Sequence, residues 1–97
     1  MIPRKRGAIV NVASQMGLVG GPNRAIYCAS KGDVIQLTRA EALDWAQYNI
    51  RVNAVAPTFV QTPLTEKTSN DPENRAWIMD NILFGRLLTA EELVAAI

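Results

Sequence analysis

Two short runs of apolar, β-branched residues, "GAIVNVAS" (Gly7 to Ser14) and "IRVNAVAP" (Ile50 to Pro57), flank a long stretch with no proline in it. That arrangement constrains the chain more than anything else in its sequence. Ala8, Ile9, Val10 and Val12 form a nearly continuous apolar run, the pattern of a strand buried on both faces. From about Arg24 to Tyr48 the sequence is rich in Ala, Leu, Gln and Arg, and a helix is predicted. Asn23 is the expected N-cap, and Asn49 the expected left-handed residue at the far end. Strand, helix, strand makes a βαβ unit with parallel strands and a right-handed crossover. The fold class is therefore α/β.

Beyond Pro57 the sequence turns polar. Two short helices are expected, one at "PLTEKT" and one over about Glu73 to Leu83, with Trp77, Ile78, Ile82 and Leu83 as its apolar face. Thr89 and Glu92 have the spacing of a capping box for a last helix. Two parallel strands alone leave two open edges. With 97 residues available, the chain reads as a piece of a larger α/β domain.

Composition excludes several chemistries. There is no histidine, so a Ser-His-Asp hydrolase cannot be built from this chain, and one cysteine with scattered carboxylates makes no zinc site. No metal is expected. The lone Cys28 is read as a small packing residue and fits a reducing, cytoplasmic setting. A net charge of +1 with one short basic cluster, Arg4-Lys5-Arg6, argues against nucleic-acid binding; the cluster is expected to be a solvated loop. No apolar run is long enough to span a bilayer.

The helix carries the candidate chemistry. Tyr27 and Lys31 are four residues apart and share a face with Val34, Ile35, Thr38, Ala42 and Trp45. Lys31 is then the only formal charge in the middle of a mostly apolar stripe; burying an ammonium without a partner is costly, so either it snorkels to water or it is held for a purpose. A bare Tyr-x-x-x-Lys pair is common on helix surfaces. Its chemical potential is clear nonetheless: an ammonium near a phenol favours the phenolate, and such a tyrosine can exchange a proton with an alcohol or carbonyl near neutral pH. Ser14 ends the first strand, and in open parallel sheets ligands bind beyond the carboxyl ends of the strands. Ser14, Tyr27, Lys31 and "PTFVQT" (Pro57 to Thr62) are all delivered to that edge.

Taken together, "GAIVNVAS", the Ser14 to Tyr27 spacing and "YCASKGDVIQLTRAEALDWAQYNIRVNAVAP" resemble the compact, single-domain branch of the short-chain dehydrogenase/reductase family. The match runs from about Gly7 to Thr62 and continues more weakly through "GRLLTAEELVAAI". The resemblance implies a Rossmann-like, doubly wound parallel sheet, of which residues 1–97 would be the C-terminal portion. It implies an oxidoreductase that interconverts an alcohol and a ketone or aldehyde with NAD or NADP. Tyr27 resembles the catalytic acid/base, Lys31 the residue that binds the nicotinamide ribose, and Ser14 the group that polarises the substrate oxygen. Pro57, Thr58, Val60 and Thr62 match positions around the nicotinamide carboxamide, with Thr58 standing where the family usually has Gly. Gln15 and Met16, which follow Ser14, are candidate substrate contacts.

The family's Gly-rich TGxxxGxG turn and NNAG segment are not in the sequence, and Gly17, Gly20 and Gly21 do not replace them because they follow Ser14. The 97-residue chain alone is therefore expected to be inactive. The alternative is a truncated, non-catalytic protein that acts only by associating with partners. The family resemblance also implies a homo-oligomer, dimer or tetramer, and a small-molecule substrate, with neither nucleic acid nor membrane as partner. Ala25, Ala29, Gly32, Gln36 and Ala40 form a line along the helix that suits close helix approach.

Overall fold

A computed structural model describes residues 1–62, 71–84 and 86–97. They fall into two units, Met1–Pro57 and Thr58–Ile97. In the first, β1 (Gly7–Val12) lies parallel to β2 (Ile50–Val55), paired in register from Gly7 with Ile50 to Val12 with Val55. Between them run a one-turn 3₁₀ segment at Gln15–Gly17 and a long helix, α1 (Ala25–Trp45), which ends in a 3₁₀ turn at Ala46–Tyr48. The predicted βαβ unit is present. Strand pairing continues past the ends of the strands: the Ala13 N–H donates to the Val55 carbonyl at 2.8 Å, and the Gln15 N–H to the Pro57 carbonyl at 3.1 Å.

The face of α1 predicted to be apolar is the face that packs. Lys31, Val34, Ile35, Ala42 and Trp45 are half-buried and Thr38 is buried. Thr38 is satisfied on both sides, its hydroxyl donating to the Val34 carbonyl (2.7 Å) and accepting from Asn11 Nδ2 (2.9 Å). That pair ties β1 to the helix. Ile50 and Val52 of β2 complete the buried layer with Ala13 and Met16. Of the small-residue line of α1, Ala25, Ala29, Gln36 and Ala40 are exposed, while Gly32 is half-buried, where an added Cβ would meet the Gly17 carbonyl at 3.7 Å. The opposite sheet face is open as well: Val10 and Val12 point away from α1 and are exposed.

The ends of α1 differ from expectation at one point. Asn49 takes the left-handed conformation (φ 56°) and returns its N–H to the Ala46 carbonyl, as predicted. Asn23 is not the N-cap. Its φ of 57° makes it a turn residue, and Arg24 occupies the cap position with no side-chain cap. Asn tolerates left-handed backbone, and here that use displaces the capping use. The basic cluster is an exposed turn, closed by the Lys5 N–H on the Ile2 carbonyl.

The second unit contains a feature its polar sequence does not announce. Strand β3 (Val60–Gln61) pairs in parallel with β4 (Leu88–Thr89). Helix α2 runs over Pro72–Asp80, capped by Asp71, so Ile82 and Leu83 lie beyond it and only Ile78 of the expected apolar face is buried. Trp77 is half exposed and meets Phe59 edge to face at 6.5 Å. Helix α3 (Ala90–Ala96) begins with the predicted Thr89–Glu92 capping box. The helix expected at "PLTEKT" lies outside the described residues.

Candidate active site

The turn at the end of β1 is fixed by backbone contacts on every side. Ser14 is buried and caps the 3₁₀ segment, its Oγ accepting from the Met16 N–H at 3.2 Å while its carbonyl accepts from the Gly17 N–H at 2.9 Å. With Oγ already an acceptor, the hydroxyl proton of Ser14 is left to donate. Gln15 is half-buried, and its N–H anchors the turn to Pro57. Met16 is buried, its thioether packed where a side chain at Gly21 would otherwise lie.

On α1, Lys31 extends its ammonium to 5.8 Å from the centre of the Tyr27 ring, within cation–π range. No ion pair engages Lys31 among the described residues, although it is half-buried. Tyr27 is 43% exposed, more than its place on the packed stripe suggests. It sits in the first turn of α1. A recess of about 550 Å³ opens there, lined by Gly21, Asn23, Arg24, Ala25, Ile26 and Tyr27.

One residue joins the Ser14 turn to the Tyr27–Lys31 pair. Gly17 lies so close to α1 that an added Cβ would sit 2.7 Å from the Lys31 carbonyl oxygen and 2.7 Å from Ile35 Cδ1. Its φ is not in the left-handed region, so the need for glycine is one of space rather than backbone freedom. Sequence reasoning passed over Gly17 and Arg24: the first reads as loop flexibility and the second as a surface charge. The structure thus brings Ser14, Gln15 and Pro57 together by hydrogen bonds, and the Ser14 turn to Lys31 by direct packing. Thr58, Val60 and Thr62 belong to the second unit, where Val60 pairs with Leu88 and Thr58 is exposed. No cluster of metal-ligating side chains occurs among the described residues, and no described helix is long and apolar enough to cross a membrane.

Comparison with known proteins bears directly on this arrangement. The family model described as enoyl-(acyl carrier protein) reductase matches residues 1–97. The chain is 43% identical over 97 residues to a 3-oxoacyl-[acyl-carrier-protein] reductase of Thermotoga maritima, covering all of this chain and 39% of that protein. Among solved structures, it superimposes with a TM-score of 0.93 on a gluconate 5-dehydrogenase from Burkholderia cenocepacia in complex with NADP and tartrate. The identity there is 34%, covering 98% of this chain and 37% of that one. An NAD⁺-bound xylitol dehydrogenase gives a TM-score of 0.86 at 34% identity, covering 99% and 42%. The chain thus spans about two-fifths of the length of the relatives it matches. The βαβ unit, the family-model match over the full chain and these nicotinamide-dependent relatives make the chain a member of the short-chain dehydrogenase/reductase family, whose cofactor is NAD or NADP.

Proposed function

We propose that the full-length protein containing this segment interconverts an alcohol and a ketone or aldehyde with NAD(P), and that Ser14, Tyr27 and Lys31 carry the proton side of that reaction. The observation that supports this most is the close seating of the Ser14 turn on α1 at Lys31, with the Lys31 ammonium over the Tyr27 ring. A substrate oxygen placed between the two hydroxyls accepts a hydrogen bond from each of Ser14 and Tyr27. A reduced nicotinamide, when bound, supplies the hydride to the carbon. Tyr27 gives its proton to the oxygen, and the nearby ammonium favours the negative charge left on the phenol oxygen. Oxidation runs the same steps backwards.

The residues present fit such a cofactor. Lys31 is a half-buried cation with no ion-pair partner among the described residues, suited to ribose hydroxyls. Pro57, Thr58, Val60 and Thr62 would hold the carboxamide end, and Gln15 the substrate. The buried Met16 side chain would act by shaping the wall behind Gly21. In this reading residues 1–97 form the C-terminal portion of one Rossmann-type domain, and the 97-residue chain alone is inactive. The exposed small residues on α1, flanked by exposed Ile26, Leu37 and Leu43, favour a homo-oligomer, and the reducing cytoplasm suits the single free Cys28.

The test is direct. The full-length protein is assayed with NADH and NADPH against a panel of ketones and aldehydes, and with NAD⁺ and NADP⁺ against the matching alcohols. Consumption of reduced cofactor that depends on substrate is expected. Absence of turnover in both directions across the panel would remove the reading. The isolated 97-residue chain is expected to show no saturable NADH fluorescence change, because pyrophosphate binding in this fold rests on a Gly-rich turn at a helix N-terminus.

A further inference from the structure

The recess beside Tyr27 has one formally charged wall. Arg24 lines it three residues before Tyr27, and the remaining lining residues are Gly21, Asn23, Ala25, Ile26 and Tyr27 itself. Arg24, the N-cap residue, and Tyr27, in the first turn of α1, therefore line one recess. No hydrogen bond or ion pair engages the Arg24 side chain among the described residues, and its helix-capping position uses only its backbone. Its stem is directed along Gly21: Arg24 Cδ lies 4.0 Å from where a Gly21 Cβ would be. Behind Gly21 stands the sulfur of Met16, whose N–H holds Ser14 Oγ. The recess wall is thus continuous with the turn that presents Ser14.

Resting on the oxidoreductase reading, we infer that the substrate of this site is an anion, a carboxylate- or phosphate-bearing alcohol or carbonyl compound whose charged group pairs with Arg24 while its reacting oxygen meets Tyr27. A planar guanidinium with free donors recognises such groups by paired, charge-assisted hydrogen bonds. The volume of about 550 Å³ has room for a charged group as well as the reacting carbon. The apolar Ala25 and Ile26 leave the guanidinium as the feature that orients the substrate.

The experiment uses the full-length protein with matched pairs of oxo-acids and their methyl esters, such as levulinate and methyl levulinate. The ratio of kcat/KM for acid over ester is measured in wild type, Arg24→Gln and Arg24→Lys. Loss of a charge-assisted pair should lower that ratio about tenfold in Arg24→Gln, through the KM of the acid; Arg24→Lys should keep most of it. A fall smaller than fivefold in Arg24→Gln overturns the inference. Failure of the wild-type protein to turn over any compound overturns the oxidoreductase reading instead. Arg24 is exposed, so neither variant should disturb folding, and matched thermal unfolding curves check this.

Discussion

Gly17→Ala should separate the geometry of the site from the stability of the fold. The added methyl would lie 2.7 Å from the Lys31 carbonyl oxygen and 2.8 Å from its carbonyl carbon, about 0.7 Å inside ordinary contact. Ile35 Cδ1, also at 2.7 Å, can move by rotation; the Lys31 carbonyl cannot, because it lies in the interior of a 21-residue helix. The 3₁₀ turn must lift instead. The Gly17 N–H is bonded to the Ser14 carbonyl and the Met16 N–H to Ser14 Oγ, so Ser14 moves with it. A displacement near 1 Å at a reacting group can cost about a hundredfold in rate. For about 0.7 Å we expect kcat to fall roughly tenfold. The overpacking itself should cost about 1–3 kcal/mol. Cofactor KM should stay within about twofold, because Tyr27 and Lys31 keep their helix and cofactor affinity in this fold rests mainly on the pyrophosphate site. Two controls sharpen the test. A side chain at Gly20 would meet nothing within 4 Å, and one at Gly32 would meet only the Gly17 carbonyl at an ordinary 3.7 Å. Gly20→Ala should be silent, and Gly32→Ala should gain up to about 1 kcal/mol of helix stability. The assay is steady-state oxidation of NADPH by the full-length protein alongside thermal unfolding. Wild-type kcat and unfolding temperature in Gly17→Ala would refute the argument.

Tyr27→Phe should lower kcat by about 10²–10⁴-fold, with an unchanged unfolding temperature, since the side chain is 43% exposed and its hydroxyl makes no hydrogen bond among the described residues; steady-state kinetics with a parallel melt decide it. Thr38→Val keeps the shape but removes the acceptor of Asn11 Nδ2, and should cost about 1–2 kcal/mol in chemical denaturation. The Arg86 guanidinium, with help from the Thr89 backbone and hydroxyl, pulls the Glu92 carboxyl down from 4.5 to about 2. Because the folded value is depressed, this contribution is present above the ordinary carboxylate range and is lost as pH falls through about 2. A carboxyl NMR titration of Glu92 should show a midpoint of about 2, and Arg86→Gln should return it toward the ordinary value.

The parts of this fold that could be read from sequence are those in which one physical term dominates. Apolar β-branched runs became β1 and β2, and the mostly apolar stripe of α1 that carries Lys31 became the packed face. The capping box at Thr89 and the left-handed Asn49 were legible because few residue types do those jobs. Asn23 misled because Asn serves both caps and left-handed turns, and the sequence does not say which use prevails. Strands β3 and β4 were missed because two residues each carry no period. The role of Gly17 is invisible along the chain, since it depends on a contact with Lys31, fourteen positions later.

The ties around Ser14, Tyr27 and Lys31 all lie within Met1–Pro57, whereas Thr58, Val60 and Thr62 are held in a unit of their own by pairing with Leu88 and Thr89. The groups proposed to handle the proton therefore rest on the end of a parallel strand pair, a buried turn and a long helix. The residues proposed to hold the nicotinamide carboxamide have a different mechanical support: a two-residue strand pair and the capped start of α3. Relatives named for substrates as unlike as acyl-carrier ketones and gluconate share the fold at similar identity over this same segment. One fold hosts many chemistries, so the substrate has to be argued from the side chains around the groups proposed to move the proton.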